Sequence, residues 1–137
     1  MSLWTYAYKS FTPEDVPDGA VGFVYLITNH HSNKFYIGKK LFTKSKTYQK
    51  NKKRKKKRVS SDWESYWGSN DALKEDVKTL GEQNFTRTIL RICFSKSELN
   101  YFETKEIFSR DALLREEYYN SWVSARINGN TLINIRI

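Results

Sequence analysis

The chain has 137 residues, 39% of them hydrophobic and 15% aromatic, and a formal net charge of +9. That length suits one domain around one core, and no apolar run approaches the roughly 18 residues of a membrane span, which sets the membrane-spanning class aside. The charge is uneven: residues 50–58, KNKKRKKKR, hold eight of the 24 Lys and Arg, leaving 16 against 15 acidic residues elsewhere, so one segment is expected to meet a polyanion, with nucleic acid favoured over a merely solvated charged loop or a targeting signal.

Residues 1–21 read as an N-terminal arm punctuated by Pro13, Pro17 and Gly19. The start lacks a basic stretch followed by an apolar one, so no signal peptide is read. Residues 22–28 and 34–38 are predicted strands, rich in Phe, Val, Tyr and Ile and nearly continuous in apolar side chains, so both faces of their hairpin are expected to be covered. Residues 41–61 read as an irregular, self-repelling, mobile basic loop. Asn70-Asp71 caps a predicted helix, ALKEDVKTL, that stops at Gly81. NFTRTILRICF (84–94) is the third predicted strand. SKSE (95–98) is a capping-box pattern opening a helix to about Arg110, and ALLREEYYNSWVSARI is expected to continue helically after Asp111. NGNTLINIRI at the end carries a turn signal and then alternation, the pattern of a short edge strand. The order predicts an α+β domain over 22–137: a small three-stranded antiparallel sheet flanked by helices, with the basic loop inserted at 41–61. Cys93, the single cysteine, has no partner for an internal disulfide; it reads as a small buried hydrophobe in a reducing, intracellular setting.

The hairpin GFVYLITNHHSNKFYIGKK (22–40) raises the functional question. With a turn centred on His30-His31, Tyr25 and Tyr36 face each other, as a stabilising aromatic pair would. Gly38 at the strand end permits close approach, and Lys39 and Lys40 put charge where a phosphate could sit. Packing and chemistry both remain open on these residues. His30 and His31 are adjacent, so their side chains diverge, as solvated turn residues do. Trp63, Tyr66 and Trp67 suit either base stacking or packing over the sheet.

The pair VY (24–25) and YIGK (36–39), eleven residues apart, resembles the GIY-YIG nuclease family, with FVY standing where Gly-Ile-Tyr is usual and Tyr36-Ile37-Gly38 intact. GSNDALKEDVKTLGEQNFTRTIL and ELNYFETKEIF resemble its later elements, from Gly22 to about Asn120. DWESYWGSN and the basic insert are most similar to its small stand-alone phage endonucleases of the Seg type. The resemblance implies a metal-dependent endonuclease hydrolysing phosphodiester bonds of DNA, double-stranded by expectation, in the host cytoplasm for a phage protein.

Glu103 can also be read from its own surroundings. On a helix it falls in the row Leu99-Glu103-Ile107, a carboxylate on a core-facing stripe that must be paired or coordinated. Glu106 falls in the row Phe102-Glu106-Arg110, where a surface ion pair suffices. The resemblance favours Glu103 as ligand of one divalent cation, Mg²⁺ or Mn²⁺. It further implies Tyr25 or Tyr36 as the group that orients or deprotonates water, with Lys39 lending positive charge. Asn120 matches the family asparagine, with Asn134 as the other candidate. The family arginine has no direct counterpart: Lys46 stands at its place, and Arg58 is the arginine chosen instead. Lys40, Lys46, Lys50, Lys52, Lys53, Arg54, Lys55, Lys56 and Lys57 are the expected nucleic-acid contacts. The alternative function is a catalytically inactive DNA- or RNA-binding module using the basic loop; a third is a structural protein with a basic assembly arm.

Overall fold

Alternate residues of the first predicted strand are buried in opposite directions, and this builds the molecule. The computed structural model describes residues 3–123, 126–132 and 135. Strand β3 (Gly22–Asn29) lies between β4 (Lys34–Leu41) and β7 (Phe85–Cys93), antiparallel to both. Phe23, Tyr25 and Ile27 enter one core, with Leu73 and Val77 of helix α1 (Asp71–Leu80). Val24 and Leu26 enter the other, with Leu99 and Ile107 of helix α2 (Lys96–Ser109). A bulge in β7 opposite the Val24/Tyr25 step re-phases that strand, so Ile89 and Ile92 both serve the first core. Both faces are covered, which is why the strands read as continuous apolar runs.

The sheet has five strands, not three, and is mixed. The segment expected as an arm contributes β1 (Trp4–Tyr6) and β2 (Lys9–Phe11), with β1 parallel to β7. Its turn uses Ala7 and Tyr8 at φ 52° and 67°, and without Gly or Asn there it carries no turn signal. Trp4 anchors the hairpin: it is buried against Phe23 and Tyr25, and its indole N–H donates to the Trp63 carbonyl.

Residues 43–60 correct the second expectation. They form a two-stranded ribbon, β5 (Thr43–Lys50) and β6 (Lys53–Ser60), separate from the main sheet. Asn51 and Lys52 close it with positive φ at both positions, the requirement of a two-residue hairpin turn.

Both helices start where their caps predict. The Asn70 side chain accepts from the Leu73 amide, and that of Ser95 from Glu98. The helical continuation past Asp111 is overturned. Asp111 takes φ 52°, the Ala112 amide donates to Ile107 and that of Asp111 to Phe108, a Schellman closure with aspartate in glycine's usual place. Residues 113–123 then run without helix, and residues 117–120 lie along the free edge of β4: Phe35 N–H donates to Glu117, and Tyr119 N–H to Phe35. In the expected tail strand, 129–132 form a short 3₁₀ turn; Asn134 and most of the remainder lie outside the described residues. Cys93 is buried as expected, and burial pushes its thiol up to about 12.

Candidate active site

The register of the β3–β4 hairpin differs from the expected one by two residues. Tyr25 pairs with Gly38 and Tyr36 with Ile27, because the turn runs through Asn33 at φ 56°. A two-residue shift preserves the face, so the tyrosines are diagonal neighbours with ring centroids 6.2 Å apart. Tyr25 lies over the bare backbone of Gly38: a Cβ there would stand 2.3 Å from the Tyr25 hydroxyl. The close approach that Gly38 permits is that of Tyr25's own ring.

These rings open onto a cavity of about 350 Å³ at the β4 edge. Tyr25, Tyr36 and Lys39 reach it from the sheet, Glu103 and Ile107 from α2, Ser69 and Asn70 from the start of α1, and Asn120 to Val123 from the segment along β4. Glu103 Oε1 is 3.6 Å from Lys39 Nζ, which also donates to Asn100 Oδ1. Burial raises the Glu103 carboxyl above the usual carboxylate range, and Lys39 offsets this only in part. Glu106 makes the surface pair with Arg110, at 2.8 Å.

Burial pushes both tyrosine hydroxyls up, and the Glu103 carboxylate pushes them further. Lys39 faces Glu103 and Asn100 rather than offsetting this. Tyr36 Oη shares a hydrogen bond of 3.2 Å with Ser69 Oγ, which pulls the other way. Tyr25 is 1% exposed, with Trp4 and Tyr66 edge-on to its ring.

Asn120 sits on extended chain, not on a helix, and both its amide atoms are committed. Oδ1 accepts from the Ile37 amide at 3.0 Å, and Nδ2 donates to the Ile37 carbonyl at 2.8 Å. The side chain continues the ladder where the backbone of 117–119 leaves off, fixing β4 between Tyr36 and Gly38. Asn120→Asp is therefore expected to cost about 2 kcal/mol at neutral pH, since a carboxylate cannot donate to that carbonyl. The loss should shrink on acidification, as the carboxyl regains a proton to donate. Thermal melts at neutral and acid pH check this; equal melts of both proteins at neutral pH would refute the clamp.

Lys46 and Arg58 do not come to the cavity. Both are on the exposed ribbon, where the Arg58 guanidinium donates to Thr43 and Ser45. Lys39 is the one cation among the described lining residues, and no cluster of three or more His, Cys, Asp or Glu is present among the described residues. Trp63, Tyr66 and Trp67 take the packing role: Trp63 is in the core, Tyr66 lies edge-on to Tyr25, and Trp67 stacks on the Arg87 guanidinium. His30 sits in the turn, 3.0 Å from the Thr86 hydroxyl. Sequence reasoning missed Ser69, Ser121 and Trp122 as lining residues; only Ser69 had a signal, beside the Asn70 cap.

Trp4 through Val123, residues 4–123, match the family described as "Putative endonuclease segE, GIY-YIG domain", and the chain belongs to this GIY-YIG family. The matched stretch takes in the N-terminal hairpin. Over 98 residues the chain is 35% identical to "Putative endonuclease segE" of Enterobacteria phage T4, covering 72% of this chain and 39% of that protein. The chain thus spans about two-fifths of that relative's length. No solved structure is a significant match.

Proposed function

We propose that the chain is a metal-dependent endonuclease that hydrolyses phosphodiester bonds of double-stranded DNA. The observation that carries this reading is the meeting of Tyr36, Lys39 and Glu103, from two elements distant in sequence, on one cavity in a member of the GIY-YIG family. The reading carries with it an intracellular site of action.

The donor set fits one hard cation. It offers a single carboxylate, oxygen-bearing neighbours in Tyr36, Ser69 and Tyr25, and no thiol or imidazole in the described lining. Mg²⁺ or Mn²⁺ keeps several waters and takes phosphate oxygens as further ligands, so one carboxylate suffices. Glu103 would hold it. The chemistry such an ion supplies is polarisation of a phosphate oxygen and stabilisation of charge on the leaving oxygen.

The chain's own groups do the rest. Tyr36, kept protonated by its surroundings, orients the attacking water through its hydroxyl, with Ser69 fixing the rotation of that hydroxyl. Lys39 offers a point charge to a phosphate oxygen once DNA competes for it. Tyr25 fills the floor over Gly38, and Asn120 holds the strand that carries Tyr36 and Lys39. The second reading, a binding module without catalysis, is favoured by one observation: neither Lys46 nor Arg58 lines the cavity. Supercoiled plasmid separates the two. Nicking in Mg²⁺ that stops in EDTA is expected, whereas binding without any cutting over a range of Mg²⁺ and Mn²⁺ would establish the module.

A further inference from the structure

The ribbon's register sorts its charges by face. Cross-strand partners share a face and successive pairs alternate. One face carries Lys44, Lys46, Lys50, Lys53, Lys55 and Lys57; the other carries Arg54, Lys56 and Arg58. Contacts agree with this sorting. Lys57 Nζ lies 5.5 Å from the centre of the Tyr48 ring on the first face, while Arg58 bonds to Thr43 and Ser45 on the second. On the lysine face, Lys46 stands opposite Lys57 and Lys50 opposite Lys53. Like charges directly opposed destabilise a ribbon, and an isolated two-stranded hairpin has little stability in reserve.

The lysine face also connects to the cavity. Beside the cavity lies a second recess of about 440 Å³ lined by Lys39, Lys40, Lys44 and Lys96. Lys39 lines both recesses, and Lys44 is the root of the ribbon's lysine face. Lys96 comes from the first turn of α2, far from the basic run in sequence.

We infer that a one-sided phosphate track leads from the Glu103 cavity, through the groove of Lys44 and Lys96, along the lysine face of the ribbon, and that the backbone of double-stranded DNA follows it. The opposite face, with its guanidinium at Arg58 already engaged, is turned away from DNA. The inference rests on the DNA reading above, not on cleavage. Phosphates laid along the lysine face neutralise the opposed pairs, so binding DNA stabilises the ribbon.

Two triple variants of equal charge decide it: Lys46→Gln, Lys55→Gln, Lys57→Gln, and Arg54→Gln, Lys56→Gln, Arg58→Gln. All six side chains are exposed, and melts verify the fold. Binding of a fluorescent duplex is measured in EDTA, so that nothing is cut, across a salt series. The lysine-face triple should flatten log affinity against log salt by about 2 to 3 units and bind at least roughly tenfold more weakly at moderate salt, at about 0.9 per lost contact. The other triple should shift the slope by less than about one unit. Equal flattening, or a larger one in the arginine-bearing triple, overturns the track. Lys44→Gln with Lys96→Gln should flatten the slope by about 1 to 2 units; an unchanged slope there also overturns it. Asymmetric slopes with no metal-dependent cutting would remove the nuclease reading and leave the track, whereas symmetric slopes with intact cutting would do the reverse.

Discussion

Glu103→Gln is expected to bring DNA cleavage below detection, while the protein stays folded and binds duplex as before. Glu103 is the one carboxylate among the described residues lining the cavity, so no neighbouring acid can take over a cation. Gln keeps the shape and loses the charge. The expected fall is roughly 10²-fold or more, the scale of removing a group that acts on transition-state charge. Glu106→Gln is the control: its carboxylate pairs with Arg110 on the helix surface and should cut normally. Equal loss in both variants, or full activity in Glu103→Gln, would remove Glu103 from the site.

The same substitution has a signature in stability that requires no activity. Burial outweighs Lys39 and holds the Glu103 carboxyl above its usual range. A group whose folded pKa is raised stabilises the fold at low pH, and that contribution is lost as pH rises through the folded value. Above that folded value the wild type carries a partly buried charge that the Gln variant lacks, and there the variant should melt at the same temperature or higher. Below the usual carboxylate range both side chains are neutral and the difference should close. A variant that melts lower at neutral pH would show that Lys39 offsets the burial cost in full.

Much of this site was legible because its parts obey local rules. Asn70 and Ser95 have side chains that satisfy free amides, so both helices start where the caps lie. Glu103 announced itself by standing between Leu99 and Ile107 in one helical row. What escaped the sequence are features whose signals are weak or contradictory. The ribbon has no apolar face and opposes like charges, so it reads as a loop; its shape comes from backbone pairing closed by two positive-φ residues at its tip, which side-chain patterning does not announce. The residues after Asp111 keep helix-forming composition, but Asp111 closes α2 and hands Leu113 and Tyr118 to the second core from non-helical chain. The structural commitment of Asn120 to Ile37 was not legible, because it depends on a strand edge that only the fold creates. That no arginine lines the cavity among the described residues has no sequence signature either, since Arg58 and Lys46 are near Tyr36 in sequence yet lie on a ribbon that leads away.

Gly38→Ala is expected to damage both stability and cutting. The added carbon would stand 2.3 Å from the Tyr25 hydroxyl and 2.4 Å from its Cζ, closer than any pair of unbonded carbons tolerates. Apart from the side that opens onto the cavity, Tyr25 is hemmed in: Trp4, Tyr36 and Tyr66 flank its ring, and Gly68 lies close to its hydroxyl. The strand has little freedom to retreat, since Asn120 clamps Ile37 from the edge. Overpacking of this kind costs about 1–3 kcal/mol, with larger values where nothing yields. The backbone shift that relieves it would displace Tyr36 and Lys39, so cutting should fall beyond what the lost stability explains. Tyr25→Phe should not rescue, because the ring carbon remains in the way. Tyr25→Leu should: alone it leaves a cavity and destabilises, but with Gly38→Ala the two costs should sum to less than their parts by about 1 kcal/mol or more. Additive costs, measured by denaturant unfolding of the two single variants and the double, would mean that Tyr25 does not occupy the space above Gly38. The glycine of the motif would then need another reason, a ligand's close approach being the one left.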